Sequence, residues 1–546
     1  MSQTIPLFGE VLKNLGFITQ GMLDFGLKVQ SSRTKEVIGQ VLKSLGFVTD
    51  MELAKALSKQ SGLKYYAMEK ISVAAAIIEK IPYQHAQKHK IFPIAFNNNT
   101  TTVAVADPFS DQALHCIKHY IPEPLDIVVA PQNLLVRAIE NKAYLGSHPI
   151  EKEIDLIQAE IRQDEKLRTA DLIQNLNYTA IELNASDMHI STTGKICFIS
   201  YRVDGVLQLR YTFPDSVHAR IVSAYKLDCN MDITETLRAL DGYGHFEFQG
   251  SIYELRVSSM PTVHGENLVV RYLTTTQECK SLEDLGFTPN QLKTLKKHLD
   301  APSGVILCTG PTGSGKTTTL YGLVRRTNYM ERNVLTIEDP VEFKIPLVKQ
   351  VSVNEKAGIT FSSAIKSFLR QDPDIILIGE IRDEESALLS IRAAQTGHLM
   401  LSSLHTNDAI GSIARLRDFG VADYLLASTL SCVVAQRLVR KLCPKCKTQV
   451  KISTEIANKL GVKNKQIYRK QGCDHCFGTG YLGRIAVAEI LELSHQMRSM
   501  IEDGMSTIAL KQQMAEDGII TLKQSISNLI QQGITDDEEF YRISYE

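Results

Sequence analysis

Apolar residues recur along the chain in three patterns, each in its own stretch. Residues 7–60 carry leucines at helical spacing, which predicts short amphipathic helices. Residues 169–272 alternate apolar and polar positions in short runs typical of half-buried strands, with one helix at about 215–228. Beyond residue 284, compact apolar runs alternate with helical segments, which indicates a largely parallel sheet with helices on both faces. The patterns together predict a multidomain α/β protein.

The first stretch contains an internal repeat. Residues 7–30 and 37–60 align at a constant offset of 30, with 11 of 24 pairs identical. Each copy predicts two short helices, because in the first copy Gly16 ends one helix and Thr19 caps the next. Two units are fewer than a solenoid needs, so the pairs are expected to pack on each other or on residues 61–145. We therefore expect a helical docking domain over residues 1–145.

Two segments between the patterns are predicted to be linkers, and they define the domain boundaries. One segment is rich in charged residues and passes into a solvated helix, and the other precedes the parallel-sheet region. The predicted organisation is a docking domain at 1–145, a linker at 146–168, an α+β domain at 169–272, a linker at 273–283 and an α/β domain at 284–546.

Composition narrows the class of protein further. The 546 residues include 60 Lys and Arg against 61 Asp and Glu, a formal net charge of −1. This balance argues against a protein that coats duplex DNA, and no basic groove with interleaved aromatic residues is evident. Apolar runs stay well below the roughly 18 residues of a membrane-spanning helix, and the start lacks a signal-peptide pattern. We expect a cytoplasmic protein that meets a membrane only through partners.

The strongest chemical signal is a glycine-rich string between an apolar strand, 305–308, and a helical segment. It has the G-x-x-x-x-G-K-T form, in which successive backbone N–H groups surround phosphates at a helix N-terminus. Lys316 is expected to reach the β- and γ-phosphates of ATP, and the Thr317 hydroxyl to bind Mg²⁺. The predicted nucleotide-binding residues are Gly310, Pro311, Thr312, Gly313, Ser314, Gly315, Lys316, Thr317 and Thr318.

Polar residues follow or flank three later strands of the same predicted sheet. Glu338 comes directly after one apolar run and Glu380 one residue beyond another, while His398 and His405 bracket a third run. Ligands of open parallel sheets bind at the carboxyl ends of strands. The carboxylates are suited to holding Mg²⁺ and aligning an attacking water, and either histidine is suited to sensing the γ-phosphate.

Four of the ten cysteines form a separate pattern, C-x₂-C-x₂₆-C-x₂-C. Spacing of this kind is typical of a structural tetrahedral zinc site. A redox role is disfavoured, since no thioredoxin-like βαβ unit surrounds either pair. We expect Cys443, Cys446, Cys473 and Cys476 to hold zinc in a knuckle at about 440–485.

Four sequence boxes in the α/β region carry a family resemblance. In chain order, GPTGSGKTTTLY, TIEDPVE, QDPDIILIGEIRD and TGHLMLSSLHTND resemble the Walker A, Asp, Walker B and His boxes of the secretion ATPase superfamily of type II secretion and type IV pilus assembly. The resemblance implies a RecA-like ATPase core. It further implies Glu338 as general base, Glu380 as a ligand of Mg²⁺ that also positions water, and His398 and His405 as γ-phosphate sensors.

The α+β region resembles the same family's second N-terminal domain, which is PAS-like. ASDMHI, YRVDG and RVSSMPTVHGENLVVRYL carry this likeness. It implies that Arg256 and Arg271 reach the nucleotide site of a neighbouring subunit. The chain departs from the family at Thr236, Leu237 and Tyr243, where arginines are usual, so contacts made by this segment are expected to differ.

Two further likenesses concern the ends of the chain. The four-cysteine insert resembles the zinc subdomain of pilus assembly and type II secretion ATPases. The helical repeat resembles an N-terminal domain that binds cyclic-di-GMP in some of these proteins, but Leu7 and Val37 replace the arginines expected to contact the dinucleotide. Binding of cyclic-di-GMP and a pure docking role both remain open.

The family resemblance implies a ring-shaped homohexamer that hydrolyses Mg²⁺-ATP at the cytoplasmic face of the inner membrane. Its expected partners are an inner-membrane platform protein and a cytoplasmic docking protein, and its expected task is type IV pilus assembly. The alternative within the family is a type II secretion ATPase. Alternatives outside it are a RecA-type nucleic-acid motor and a nucleotide-binding regulator that barely hydrolyses ATP.

Overall fold

The computed structural model describes residues 7–33, 36–68, 77, 80–97, 99–147, 150–162, 168–248, 251–274 and 281–544. The chain divides into two compact units. One is Asp50–Glu278, and the other joins Met1–Thr49 to Cys279–Glu546. The boundary between Glu278 and Cys279 falls within the predicted linker at 273–283. The boundary between Thr49 and Asp50 falls inside the predicted docking domain.

The first half of the unit Asp50–Glu278 contains a four-stranded mixed sheet. Its strands are β1 (Lys64–Tyr65), β2 (Ile91–Asn97), β3 (Thr100–Val105) and β4 (Leu125–Val129), in the order β1-β4-β3-β2. Its helices are Asp50–Ser61, Tyr83–His89, Asp111–Tyr120, Gln132–Ser147 and Ile150–Arg162. The helical domain expected over 1–145 therefore also contains a sheet, which the sequence pattern does not predict. The strands are short, and Pro93 interrupts the β2 ladder, which weakens their pattern in the sequence.

The second half of this unit is an antiparallel α+β layer, as the alternating pattern predicts. Its strands are β5 (Asp187–Thr192), β6 (Ile196–Val203), β7 (Val206–Pro214), β8 (Leu240–Phe248), β9 (Ser251–Thr262) and β10 (Gly265–Thr274), in the order β7-β6-β5-β10-β9-β8. Its helices are Thr169–Glu182 and Asp215–Asp228. Alternate residues of β6 are buried, because successive side chains of a strand point to opposite faces.

The other unit begins with three helices of the repeat, Phe8–Asn14, Gln20–Ser32 and Ile38–Ser44, which pack on one another. They also contact the remainder of that unit. The Arg326 guanidinium donates a hydrogen bond to the Gly16 carbonyl. A Cβ added to Gly46 would lie 2.1 Å from Cγ of Pro346. The repeat thus contributes to two units, since its fourth helix, Asp50–Ser61, packs on β1 and β4.

The remainder of this unit is built on a seven-stranded sheet. Its strands are β11 (Gly304–Thr309), β12 (Val334–Glu338), β13 (Lys349–Ser352), β14 (Ile375–Ile378), β15 (Leu399–Leu404), β16 (Leu430–Leu442) and β19 (Tyr481–Glu492), in the order β13-β12-β14-β15-β11-β16-β19. All neighbouring pairs are parallel except β16 with β19. The sheet is therefore parallel across its first six strands, as the alternating apolar runs and helical segments predict.

Helices cover this sheet, and a small insert separates its last two strands. The helices are Pro289–Leu299, Lys316–Arg326, Phe361–Phe368, Glu384–Gln395, Ala409–Asp418, Asp423–Thr429, Thr454–Leu460, His495–Glu502, Thr507–Glu516, Leu522–Gln531 and Asp537–Ser544. The insert contains the hairpin β17 (Thr448–Lys451) and β18 (Gln466–Arg469). None of the described helices combines the length and the apolar character needed to cross a bilayer.

Candidate nucleotide site and cysteine cluster

The glycine-rich loop connects β11 to the helix Lys316–Arg326, and its backbone conformation requires glycine. Gly310 has φ 149° and Gly315 has φ 89°, values that disfavour other residues. A Cβ on Gly310 would also lie 2.5 Å from the carbonyl oxygen of Gln436. The loop is therefore compact enough for its N–H groups to converge at the N-terminus of the helix, where anions bind.

Two side chains of this loop are ready for a phosphate ligand. The amino group of Lys316, which is 9% exposed, donates to the carbonyl oxygens of Gly310 at 2.7 Å and Pro311 at 3.2 Å. Burial lowers the pKa of Lys316, and the nearby Glu380 charge opposes this change. The hydroxyl of Ser314 is buried, and no described residue forms a hydrogen bond with it. A nucleotide phosphate would give this polar atom a partner.

Glu380 lies just beyond the carboxyl end of β14 and is held by two basic side chains. It accepts hydrogen bonds from Nε of Arg382 at 2.6 Å and from Nε2 of His405 at 3.1 Å. Arg382 also contacts Asp339 at 3.2 Å. Burial raises the pKa of the Glu380 carboxyl, but the bonds and charges of Arg382 and His405 outweigh burial and lower it. With 22% of its side chain exposed, Glu380 is an ionised carboxylate open to water.

Glu338, at the carboxyl end of β12, has a closed environment. It is 4% exposed and accepts hydrogen bonds from the hydroxyls of Tyr321 and Thr336, the latter at 2.6 Å, and from Nε2 of Gln350 at 3.3 Å. Two of these donors bind Oε1 and one binds Oε2, so most of the acceptor positions of this buried carboxylate are taken. As it stands, Glu338 is positioned firmly but is not open to an attacking water, unlike Glu380.

Tyr321, the last residue of the GPTGSGKTTTLY box, is a site residue for which the sequence indicates no role. Besides donating to Glu338, its hydroxyl accepts hydrogen bonds from the backbone N–H groups of Glu342 at 3.2 Å and Phe343 at 3.3 Å. Burial and the Glu338 carboxylate raise its pKa, so the phenol stays protonated. Tyr321 thus connects the P-loop helix to the general-base candidate and to residues 342–343.

Replacing Tyr321 with Phe is expected to lower ATP turnover by about 10-fold or more, because small misplacements of a catalytic group are costly. Steady-state kinetics, with melting temperature measured in parallel, would test this. The matched control is Tyr329→Phe, which removes a hydroxyl that donates to the Arg325 carbonyl at 3.0 Å rather than to a site carboxylate. Equal turnover in both variants and the wild type would rule out a positioning role for Tyr321.

The two histidines occupy opposite ends of β15. His405 follows the strand and contacts Glu380. His398 precedes the strand, where its carbonyl accepts from the N–H of Gly304 at 3.2 Å and its Nδ1 lies 2.8 Å from the Ala393 carbonyl oxygen. Because β15 runs parallel to the P-loop strand, six strand residues, about 20 Å, separate His398 from the loop. The γ-phosphate-sensing role expected of His398 therefore stays a prediction, and of the two histidines it is His405 that lies at the P-loop edge of the sheet.

The predicted trans arginines lie in the unit Asp50–Glu278. Arg256 and Arg271 are paired across the antiparallel strands β9 and β10. Arg271 is 60% exposed and its Nε donates to Asp187 at 2.8 Å. Leu237 and Tyr243, which replace family arginines, are exposed. The role of the arginine pair at a nucleotide site stays a prediction.

Gln436 is a second contributor that the motifs do not indicate. It lies in β16, next to the P-loop strand. Its Nε2 donates to the Ser314 carbonyl at 2.9 Å, and its Oε1 accepts from the Thr319 hydroxyl at 2.7 Å. One buried amide thereby fixes both the loop and the first turn of its helix. The only signal in the sequence is a polar residue within the apolar run SCVVAQRLV.

The four predicted zinc ligands converge in the insert between β16 and β19. Their sulfur atoms all lie within 4.8 Å of one another. Three separations are 3.9 Å for Cys443 to Cys473, 3.8 Å for Cys446 to Cys476 and 3.7 Å for Cys473 to Cys476. Four sulfurs at about 2.3 Å around a tetrahedral zinc would be about 3.8 Å apart. The cluster therefore has the dimensions of a four-thiolate metal site.

The strand order, the P-loop after a central strand and the acidic residues at neighbouring strand ends define a P-loop ATPase. The chain belongs to the type II/IV secretion system protein family, whose sequence pattern matches residues 162–542. Residues 61–143 match the MshEN domain. The predicted family resemblance is confirmed, and the protein is an ATPase of this secretion and pilus class.

Named relatives and a solved structure agree with this placement. The type IV pilus assembly ATPase PilB of Myxococcus xanthus is 34% identical over 510 residues, covering 89% of this chain and 90% of that protein. The type II secretion system protein E of Dickeya dadantii is 39% identical over 376 residues, covering 69% of this chain and 75% of that protein. The ATPase DotB of Legionella pneumophila, at 19% identity and a TM-score of 0.53 over 68% of this chain and 95% of that one, shares the fold.

Proposed function

We propose that this ATPase hydrolyses Mg²⁺-ATP to power type IV pilus assembly at the cytoplasmic face of the inner membrane. The observation that carries the proposal is the extent of the alignment with pilus assembly ATPases, which covers 89% of this chain. The alignment with the type II secretion protein covers 69%. The longer match necessarily includes more of the chain outside the ATPase core. These outer regions are the ones by which a motor would bind the other proteins of a pilus assembly system.

The described residues fit a Mg²⁺-nucleotide. In the proposed site, Thr317 and Glu380 hold Mg²⁺, which would neutralise charge on the β- and γ-phosphates. Lys316 exchanges its two backbone carbonyl acceptors for phosphate oxygens, because a charged acceptor forms the stronger hydrogen bond. The buried Ser314 hydroxyl gains a partner in the same step. Electrostatic stabilisation by preorganised donors of this kind supplies most of the catalysis in phosphoryl transfer.

The two glutamates are assigned different tasks. Glu380 orients the attacking water, with His405 and Arg382 fixing its carboxylate and His405 facing the γ-phosphate side. Glu338 serves as general base, and because it is buried it meets the attacking water only when the residues that hydrogen-bond to it move. Tyr321 also accepts hydrogen bonds from the backbone of residues 342–343. We therefore propose that this segment moves when ATP binds and the site becomes active.

The working assembly is proposed to be a homohexamer. Arg256 and Arg271, on the PAS-like domain, would reach the γ-phosphate of a neighbouring subunit and neutralise charge in the transition state. The exposure of Arg271 supports this assignment, because its guanidinium is accessible to a partner. The expected partners are an inner-membrane platform protein and a cytoplasmic docking protein, on which opening and closing of the subunits would act.

The four-cysteine cluster is proposed to hold one structural Zn²⁺. The sulfur separations support this, as does backbone donation to the sulfurs. The N–H groups of Gly472 and Gly480 lie 3.3 and 3.1 Å from the sulfurs of Cys446 and Cys476. Such donors stabilise thiolate charge, which a zinc–tetrathiolate site carries in excess.

The helical repeat is proposed to dock on protein partners rather than to bind cyclic-di-GMP. Leu7 and Val37, at the positions of the expected arginines, are exposed apolar side chains. They cannot supply the planar cationic fork that stacks on guanine and binds phosphate.

Deleting the gene, and scoring surface pili and secreted proteins side by side, tests the proposed function. We expect pili to disappear and secretion to persist. A wild-type copy should restore pili, and a matched Lys316→Ala copy should not, because it lacks the phosphate-binding amine. Loss of secretion with intact pili would favour the type II secretion alternative, for which the 39% identity to the Dickeya protein is the supporting observation.

A further inference from the structure

A second cluster of metal-ligating side chains lies far from the zinc knuckle in sequence, in the unit Asp50–Glu278. It consists of His85, His89 and Cys116. One ring nitrogen of each histidine and the sulfur of the cysteine all lie within 4.8 Å of one another. No motif in the sequence brings these residues together, because His85 and His89 lie on one helix and Cys116 on another.

Local structure explains why the three side chains meet. His85 and His89 are one turn apart on the helix Tyr83–His89, so both project from the same face. Cys116 lies on the helix Asp111–Tyr120, which packs against the first helix. Buried Ala86 and Ile117 form the apolar layer beneath the cluster. The pair of helices is therefore held together independently of any ion.

The donor set has a definite chemical preference. Two imidazoles and one thiolate are ligands for borderline and soft transition metals, and they do not suit Mg²⁺ or Ca²⁺, which prefer oxygen. Zinc binds imidazole and thiolate at about 2.0 and 2.3 Å. Three ligand atoms already within 4.8 Å of one another need only small side-chain adjustments to surround such an ion. Three protein ligands leave a fourth position for water.

Neighbouring aromatic rings orient the histidines of the cluster but leave it accessible to solvent. His85 packs against the ring of Tyr120 with centroids 5.2 Å apart, and the two histidine rings lie nearly parallel, with centroids 6.3 Å apart. Both histidines and Cys116 are partly exposed. An ion can therefore reach the site from solvent, and its fourth ligand can be water.

We propose that His85, His89 and Cys116 form a Zn²⁺ site that joins the helices Tyr83–His89 and Asp111–Tyr120. The bound ion would be a structural cross-link between these two helices, which belong to the same part of the chain as the small sheet β1–β4. The site shares no residue with the ATPase site or with the four-cysteine cluster. Because the ion bridges two elements that are 22 or more residues apart in sequence, its removal is expected to loosen this half of the unit.

Zinc content of the full chain, after equilibration with Zn²⁺ and removal of loosely bound ion, tests the proposal. His89→Ala and Cys116→Ser should each hold one zinc fewer per chain than the wild type. The matched control is His119→Ala, on the same helix as Cys116 but outside the cluster, and it should lose none. The readout is a difference between variants, so it holds whether or not the four-cysteine cluster binds zinc.

A second measurement guards against variants that misfold. Co²⁺ bound to the wild type should show a sulfur-to-metal charge-transfer band that Cys116→Ser reduces and His119→Ala preserves. In His89→Ala and Cys116→Ser, the zinc affinity of this site should fall by more than roughly 10–100-fold. That range is the cost of losing a residue that only hydrogen-bonds to a metal ligand. Equal zinc content in wild type, His89→Ala and Cys116→Ser, with an unchanged Co²⁺ spectrum, would overturn the proposal.

Discussion

Replacing Glu380 with Gln should lower ATP turnover by about 100-fold or more, the range expected when a charged group that stabilises the transition state and orients the attacking water is lost. The amide has nearly the same shape, but it removes the charge that would hold Mg²⁺. That charge is well established in the site, because Arg382 and His405 keep the pKa of the carboxyl below its usual range. Nucleotide binding and melting temperature should change little, since Lys316 and the loop remain.

The matched control for this prediction is Glu385→Gln. Glu385 is an exposed carboxylate five residues away that pairs with Lys366 at 2.6 Å, so the same chemical change there should leave turnover intact. Steady-state hydrolysis and nucleotide binding measured on both variants separate catalysis from affinity. Turnover of Glu380→Gln equal to that of the wild type would favour the regulator that barely hydrolyses ATP over the motor.

Replacing Cys443 with Ser should release about one Zn²⁺ per chain and loosen the C-terminal part of the ATPase unit. Structural zinc sites bind with about 10–16 kcal/mol of apparent free energy, so loss of one of four thiolates is a large perturbation. The insert is also tied to the tail of the chain. Leu442 donates its N–H to the Ile534 carbonyl at 2.7 Å, and the Lys447 amine donates to the Gly533 carbonyl at 2.7 Å.

Zinc content, melting temperature and protease sensitivity of the region after residue 440 measure this effect. Lys445→Ser is the matched control, because Lys445 lies between Cys443 and Cys446, is exposed and offers no ligand. It should keep its zinc and its stability. If Cys443→Ser keeps its full metal content and its melting temperature, the assignment of zinc to the four-cysteine cluster is overturned.

Local patterns in the sequence determine much of the ATPase unit. The P-loop residues are consecutive, so one string specifies the strand, the turn glycines and the start of the helix. Glu338 and Glu380 follow short apolar runs, and parallel strands bring such positions to one edge of the sheet. The C-x₂-C pairs each form one small turn. In all three cases short local strings identify the chemical groups, which a pattern can record.

The tertiary structure decides whatever depends on partners distant in sequence. The strand direction places His405 at the P-loop edge and His398 at the other, a distinction that the His box alone does not carry. Tyr321 meets Glu338, and Gln436 meets Ser314, only because the strand order makes their elements neighbours. Packing of helices likewise divides the repeat between two units and brings His85 and His89 to Cys116. Spacing along the chain predicts elements and their faces, but packing across many residues selects which faces meet.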